Sequence, residues 1–512
     1  MGARSTEAER GPLVARKPSR SLAAVVMAAG KGKRLKSRLP KVLHPVCGRP
    51  TLWHVLRAVE AVRPERVVVV VAHESDQVEE AVRAWGLNLP AVLFVDQGDP
   101  LGTGHAVMVS ESAVGRVEDV LVVSGDEPLV TGEQLRDLLT LHRRKKASAT
   151  VQTTLAPGTR EFGHVVRNGE AFEKIVEAPG ATDHAAEIPE VATGMYAFRR
   201  EDLFKALPLL SRDNRHREYY LVDALGILRE KGERIAVLQV DNGGSVGTNS
   251  RRELAAAAAV MRRRINEALM DQGVTLVDPD RTYVDVSVTV GPDTVIHPLT
   301  FLEGETAIGR DCVIGPSTRI VDSTVGDETE IQFSVVKGST VGDRVTVGPY
   351  AHLRPETVLE PGSKAGTFVE LKKSRVGPGS KVPHLAYVGD ATIGEGANIG
   401  AGTITCNYDG FEKHQTVIED GAFIGSDTML VAPVKIGKDA VTGAGSTISK
   451  DVPPGALAVE RSEQKNVEGY TDRRRKRRGA RGGSSPGAKE SGEGQRADPP
   501  NKKEAKGRTK GH

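Results

Sequence analysis

The stretch GSKVPHLAYVGDATIGEG, Gly379–Gly396, decides how the C-terminal half folds. Val382-Pro383 and Val388-Gly389 lie six residues apart, and Val376-Gly377 just upstream keeps the same beat. Downstream, Ile393-Gly394 and Ile399-Gly400 repeat the step, and Ile424-Gly425 and Ile436-Gly437 stand two steps apart. Upstream, Val290-Gly291 with Ile296-His297, Ile308-Gly309 with Ile314-Gly315, and Val341-Gly342 with Val347-Gly348 and Leu353-Arg354 all obey it. A period of six, aliphatic then mostly small, predicts a parallel β-helix. Each aliphatic points into the coil and the small residue turns the corner. A break in phase such as NYDGFEKHQTV, 407–417, predicts a loop thrown out from the coil, where function tends to sit.

The grammar before Tyr283 differs. LAAVVMAAG (22–30), RVVVVVAH (66–73) and VLVVSGDEPL (120–129) read as buried strands. TLWHVLRAVEAV (51–62) and GEQLRDLLTLHRRKK (132–146) read as helices between them. The alternation predicts an α/β domain with a mainly parallel, Rossmann-like sheet. SRRELAAAAAVMRRRINEALMDQG, 250–273, is rich in helix formers and predicts a long connecting helix ending at Gly273. The expected organisation is an extension without order over 1–20, the α/β domain over 21–250 and the linking helix over 251–273. The β-helix follows over 274–470, then a disordered basic tail over 471–512.

Composition narrows the function classes. Residues 472–512 hold fourteen Lys and Arg against five Asp and Glu, so the formal +3 of the whole chain leaves the body near −6. A mildly acidic body argues against a nucleic-acid-binding protein. RRRKRR, 473–478, reads as a nuclear signal, an RNA patch or a solvated tail; no aromatic side chains interleave the charge to stack bases. Cys47, Cys312 and Cys406 are widely spread and lack metal spacing, which suits free thiols in a reducing cytoplasm. No apolar run approaches the roughly 18 residues of a membrane span, and no signal peptide is recognisable.

Chemistry-bearing motifs sit in both halves. MAAGKGKRLKSRLPK, 27–41, follows the first strand directly. Its glycines let backbone N–H groups approach phosphate oxygens, with Arg34 and Lys41 supplying charge, although a simple turn reads the same way. It is neither a P-loop nor GxGxxG. SGDEPL puts Asp126 at the carboxyl end of a buried strand, the edge where open α/β sheets bind ligands. PLGTGHA, 100–106, is a second glycine-lined turn, and GTNS places Asn249 just before the linking helix. One carboxylate and one amide oxygen, completed by substrate phosphates and water, suit Mg²⁺. In the β-helix, His384 reads as packing, metal ligand or base. Lys372, Tyr387, Asn398 and Asn407-Tyr408 lie near it in sequence. The intervals of twelve and fourteen residues suggest neighbouring sides of adjacent coils, or contacts completed by another chain.

With these motifs in one order, residues 22–470 resemble first the sugar-1-phosphate nucleotidyltransferases. With the β-helix included, they resemble the bacterial bifunctional N-acetylglucosamine-1-phosphate uridyltransferase/glucosamine-1-phosphate N-acetyltransferases. REYYLVD (217–223), LRPE, FVELKK, PHLAYVGD, NIGAGTITCNYDG and GSDTMLVAPVKIG carry that likeness. The resemblance implies a left-handed β-helix, a homotrimer with acetyl-transfer sites between neighbouring coils, and a cytoplasmic enzyme making UDP-N-acetylglucosamine. It implies that Ala28, Ala29, Gly30, Arg34, Lys41, Gln97, Gly102, Thr103, Gly163, Glu177 and Asn249 bind UTP and the amino sugar phosphate. Asp126 and Asn249 would hold Mg²⁺. His384 would be the base that deprotonates the glucosamine 2-amine. Arg354, Lys372, Tyr387 and Asn398 would bind glucosamine 1-phosphate. Ala401, Asn407, Tyr408, Ser426, Ala444 and Arg461 would line the acetyl-CoA site, and Lys413 projects from the loop between them. A base of ordinary imidazole pKa, about 6.5, is available at neutral pH.

Departures from the family pattern are local. Lys33 replaces a threonine in the glycine-rich loop, Pro100 stands where glutamine is common, and Ala386 replaces a threonine. EVATG puts Ala192 at the position of a sugar-contacting asparagine, and EFGHV replaces the usual glycine-flanked tyrosine. Losing one substrate hydrogen bond costs about 0.5–1.5 kcal/mol. Three competing readings remain: a nucleotidyltransferase whose β-helix only oligomerises or regulates, a non-catalytic sugar-nucleotide-binding subunit, and an enzyme of shifted sugar or nucleotide choice.

Overall fold

The computed structural model describes residues 20–156, 163–169, 171–176, 188–214, 216–241 and 247–481. Its α/β part contains β1 (Leu22–Met27), the small hairpin β2 (Pro45–Val46) and β3 (Arg49–Pro50), β4 (Arg66–Val71), β5 (Val92–Asp96) and β6 (Asp119–Ser124). They are followed by β7 (Ala149–Leu155), β8 (His164–Asn168), β9 (Ala171–Val176), β10 (Glu190–Arg199) and β11 (Ile235–Gln239). The main sheet runs β11-β7-β10-β6-β1-β4-β5, with the β8–β9 hairpin attached to β10. The expected parallel pairing holds for β6-β1-β4-β5 and for β11-β7, whereas β10 lies antiparallel between β6 and β7. Ala23, Val25, Val68, Val70, Val120 and Val122 pack on one face. Leu22, Ala24, Val26, Val67, Val69 and Leu121 pack on the other, so the central strands are apolar on both sides.

The long helix spans Arg251–Asp271. Ser250 caps it in a reciprocal box with Glu253, and Gly273 follows at φ +93°. The helix ends inside the next core, because Leu269 packs with Val274 and Leu276.

From Thr275 the chain winds through three parallel sheets of eleven, ten and nine strands, an arrangement that fits a left-handed β-helix. Partners in the eleven-stranded sheet step by sixteen to eighteen residues from Val295 to Lys381. The period-six aliphatics lie inside: Ile296, Ile314, Val347, Leu353, Val376, Val382, Ile399, Ile424 and Ile436 are fully buried. At about 1.5–3 kcal/mol for each such side chain, this stack dominates the coil's stability. The step from Asn398 to Phe423 lengthens to twenty-five. The excess is the expected excursion, a tight hairpin bridged at Tyr408 and Lys413.

The residues from Arg461 form a separate unit, whose described part carries a helix, Tyr470–Arg481. The expectation of a tail without regular structure from Asp472 is corrected here. Arg and Lys are strong helix formers. The Gly-Ser-Pro composition that argued for disorder begins only at Gly482, beyond the described residues.

Candidate active sites

The first site gathers at the carboxyl end of β1 and β6. Ala28 and Ala29 leave β1 buried, and Arg34 is exposed on the one-turn helix Lys33–Leu35. Gly32 has φ +55°, and a Cβ there would lie 2.7 Å from Lys41 Cβ, so only glycine lets the loop close over Lys41. The Lys41 ammonium donates to Asn249 Oδ1 at 2.6 Å and forms an ion pair with Asp126. Two residues 123 apart in sequence thus aim oxygen atoms at one point.

The linking segment is tied down behind them. Thr248 N–H and Thr248 Oγ1 both donate to the Asp126 carbonyl at 3.0 Å. Glu127, adjacent to Asp126 and buried, faces Gly247; burial and the Asp126 charge push its carboxyl well above the ordinary range. Sequence reading missed Thr248, Glu127 and Glu253, although S-R-R-E at 250–253 is a legible capping signal.

The second glycine-lined turn is built against 217–223. Gln97 Nε2 donates to the Gly102 carbonyl at 2.9 Å. Gly102 has φ +105°, and a Cβ there would stand 2.5 Å from the Tyr219 carbonyl oxygen. Gly104 N–H donates to Tyr219, Tyr219 N–H to Leu101, and Leu221 N–H to Thr103 Oγ1. The two motifs quoted separately from the sequence therefore form one structural unit. Gly163 accepts from Ala192 N–H at 2.9 Å, which sets Ala192 in β10 beside it. Glu177 lies outside the described residues.

The second site lies on the β-helix. Lys372 Nζ donates to Asp390 Oδ1 and Oδ2 at 3.0 and 2.9 Å, and Asn407 Nδ2 donates to Oδ2 at 2.5 Å. The Asp390 bond raises the Lys372 pKa. Burial pushes the Asp390 carboxyl up, but Lys372 and Asn407 outweigh it and hold the group below its ordinary range. Lys413 reaches the same cluster from the loop hairpin, and contact with the Lys372 ammonium lowers its pKa. The Tyr387 hydroxyl lies over Gly389, where a Cβ would stand 2.5 Å from it and 2.7 Å from Asn407 Nδ2. Arg354 Nη1 donates to Glu370 Oε1 at 2.9 Å, and Glu370 pairs in register with Tyr387. Neither Asp390 nor Glu370 was singled out from the sequence. A corner Gly-Asp in a repeat protein reads as a turn.

His384 and Asn398 belong to the neighbouring sheet, in two consecutive coils. His384 is exposed at the end of Lys381–His384 and, among the described residues, its ring makes no hydrogen bond. Lys381 pairs with Asn398, Asn398 with Phe423 and Phe423 with Val441. Carried three residues on, that register stacks His384, Ala401, Ser426 and Ala444 in one column along a corner of the coil. The column presents small side chains beyond the imidazole: Ala401 is half-buried, and Ser426 and Ala444 are exposed. Beside it, the left-handed corner positions Phe333, Tyr350, Phe368 and Leu385 are exposed, with Tyr350 stacked on Phe368 at 5.2 Å. Asn407 is buried and Tyr408 exposed at the root of the hairpin. Arg461 opens the C-terminal unit.

Among the described residues, no group of three or more His, Cys, Asp or Glu side chains is placed to hold a metal ion. The two hard oxygens of Asp126 and Asn249 nonetheless converge on a point that a cationic nitrogen already fills. That donor set suits a cation drawing its other ligands from phosphate and water.

Family models match both halves. Residues 24–225 match a MobA-like NTP transferase domain, and residues 415–450 match the bacterial transferase hexapeptide of six repeats. The chain is 47% identical to the Bifunctional protein GlmU of Syntrophomonas wolfei, over 87% of this chain and 99% of that one. Against the protein of the same name from Carboxydothermus hydrogenoformans, identity is 49% over the same shares. Against that of Heliobacterium modesticaldum it is 48%, over 88% and 98%.

Proposed function

The chain belongs to the GlmU family of bifunctional proteins, and from that premise we propose that its two sites run consecutive reactions. The β-helix transfers the acetyl group of acetyl-CoA to the 2-amine of glucosamine 1-phosphate. The α/β domain joins UTP to the resulting N-acetylglucosamine 1-phosphate, giving UDP-N-acetylglucosamine and pyrophosphate. The observation that carries the reading is the presence of both clusters in one chain: Lys41 against Asp126 and Asn249, and Lys372 against Asp390 and Asn407 on the β-helix that also carries His384.

In acetyl transfer the sugar nitrogen attacks the thioester carbonyl, the C–S bond breaks and CoA leaves. His384 accepts the proton that the nitrogen loses. Lys372 and Arg354, each already oriented by a carboxylate, hold the sugar phosphate, and Tyr387 with Asn398 orients the ring. The column Ala401–Ser426–Ala444, with Asn407 and Tyr408, takes the CoA chain.

In uridylyl transfer a phosphate oxygen of the sugar phosphate attacks the α-phosphorus of UTP and pyrophosphate leaves in line. Arg34 and Lys41 hold the triphosphate, Gly102 and Thr103 meet the base with Gln97 bracing the turn, and Gly163 with Glu177 meets the sugar. Asp126 and Asn249 would hold Mg²⁺, which when bound neutralises charge on the phosphates. Lys41, paired here with both oxygens, would turn its ammonium to phosphate when Asp126 and Asn249 hold the cation.

The exposed aromatic corner beside the His384 column supports a homotrimer, because a neighbouring copy would cover it and flank the acetyl-transfer site. Ala192, with no polar side chain beside Gly163, favours a second reading for the first site alone, a relaxed choice of sugar. The test is a pair of assays on the purified chain. One follows CoA release from acetyl-CoA and glucosamine 1-phosphate; the other follows pyrophosphate release from UTP, N-acetylglucosamine 1-phosphate and Mg²⁺. Activity in both supports the proposal. Pyrophosphate release only with another hexose phosphate supports the second reading.

A further inference from the structure

We infer that Glu253 is a positioning residue for uridylyl transfer, holding Asn249 in register with Asp126 across the nucleotide site. In an ordinary capping box the third helical residue accepts a hydrogen bond from the cap residue's N–H. Here Glu253 Oε2 accepts two. The Ser250 N–H lies 3.1 Å away, and the N–H of Asn249, one residue outside the cap, lies at 2.6 Å. The shorter bond therefore goes to the residue whose side-chain oxygen faces Lys41.

The grip closes from the other side. Thr248 spends both its N–H and its hydroxyl on the Asp126 carbonyl. The peptide between Thr248 and Asn249 is thus held at one end by the turn after β6 that carries Asp126 and at the other by the helix that carries Glu253. Asn249 stands between Thr248 and the helix cap Ser250, two residues after Gly247 at φ +56°. The same helix reaches the rest of the site: Arg251 Nε donates to the Leu35 carbonyl at 3.1 Å and Arg264 Nη1 to Leu129 at 2.7 Å. Glu253 is the only one of these groups that contacts the Asn249 backbone itself among the described residues.

The inference rests on the reading of Asp126 and Asn249 as the cation-holding pair. It separates two roles that one carboxylate performs, capping the helix and aiming Asn249. Ser250→Ala removes the side-chain half of the cap and leaves the Asn249 N–H bond in place. Glu253→Ala removes both bonds that the carboxylate accepts, from the Asn249 and Ser250 N–H groups, and leaves the Ser250 hydroxyl bonded to the N–H of residue 253; Glu253→Gln keeps an acceptor oxygen without the charge.

The experiment titrates Mn²⁺ into the full-length enzyme with UTP present, reading free Mn²⁺ by electron paramagnetic resonance, and measures pyrophosphate and CoA release on the same preparations. Glu253→Ala is expected to weaken Mn²⁺ binding about tenfold and to raise the Mg²⁺ needed for half-maximal pyrophosphate release to match. Glu253→Gln and Ser250→Ala should stay within about threefold of the parent, with CoA release unchanged throughout. Unchanged Mn²⁺ binding in Glu253→Ala overturns the inference. So does equal weakening in Glu253→Gln, which would make charge rather than aim the cause, or equal weakening in Ser250→Ala, which would make it helix capping. Asp126→Ala is the separate control: if it keeps full Mn²⁺ affinity, the cation site itself has been misplaced, whatever Glu253 does.

Discussion

Lys372 and Asp390 form a two-oxygen ion pair that joins consecutive coils of the β-helix, with Nζ 2.9 and 3.0 Å from the carboxylate oxygens. Both side chains are largely shielded, at 16% and 14% exposure, so the pair is screened less than a surface bridge. Asp390 fixes the ammonium where the sugar phosphate would meet it and keeps it charged beside Lys413.

Removing that anchor should cost acetyl transfer specifically. A hydrogen bond to a charged group contributes about 1.5–3 kcal/mol. Asp390→Ala is therefore expected to lower kcat/KM for glucosamine 1-phosphate by roughly ten- to a hundredfold, mostly through KM, with pyrophosphate release unchanged. A parent-like KM would show that Lys372 needs no partner.

Gly102→Ala addresses the other site. At φ +105° with the Tyr219 oxygen 2.5 Å from the added Cβ, the turn has to move. Strain of this kind costs about 1–3 kcal/mol. Pyrophosphate release should fall at least about tenfold while CoA release holds. Equal losses in both assays would mean that the substitution unfolds the chain rather than reshaping one turn.

Asp119 ties stability to pH. It is buried, Arg143 Nε donates to Oδ2 at 2.8 Å, and His142 Nε2 stands 3.7 Å from Oδ1, beyond hydrogen-bond reach. Burial pushes the carboxyl up, yet His142, Arg143 and Arg20 hold it below its ordinary range. A folded-state pKa below the unfolded value means that the contribution is complete above about pH 4 and is lost as pH falls through the folded value. Asp119→Asn should therefore be less stable than the parent in urea at pH 7, with the gap closing below about pH 4. A gap independent of pH would show that packing, not charge, is what the aspartate supplies.

Deleting residues 471–512 should leave both reactions within about twofold, because every group assigned a role precedes the deletion. A large loss of either would place a substrate contact in the basic segment.

Much of the fold was legible because its physics is local. Val376, Val382 and Val388 announce a six-residue coil wherever they occur, and all are buried. The strands LAAVVM and RVVVVV need no context to be read as covered on both faces. The antiparallel β10 was not legible, since EVATGMYAFR is buried along almost its whole length and its direction is set by the β6 and β7 it enters. In the sites, residues with an unusual type for their place stood out: Asp126 after an apolar strand, His384 in an aliphatic repeat. Their partners did not. Asp390, Glu370 and Glu253 sit where acidic residues commonly close turns or cap helices, and only the coil stacking and the helix start show what each carboxylate holds. The short basic helix was missed because its charges were pooled with the glycine- and serine-rich stretch behind it.

The central claim is that one chain carries two separable sites acting in series. The most direct measurement supplies glucosamine 1-phosphate, acetyl-CoA, UTP and Mg²⁺ together and follows UDP-N-acetylglucosamine by mass spectrometry, for the parent and for His384→Ala. The parent should make the product. His384→Ala should slow it by about 10²–10⁴-fold, the usual worth of a general base, and N-acetylglucosamine 1-phosphate supplied in place of the amine should restore the parent rate. A variant that stays inactive with the acetylated sugar, or that never slows, would contradict two independent sites with His384 as the base of one.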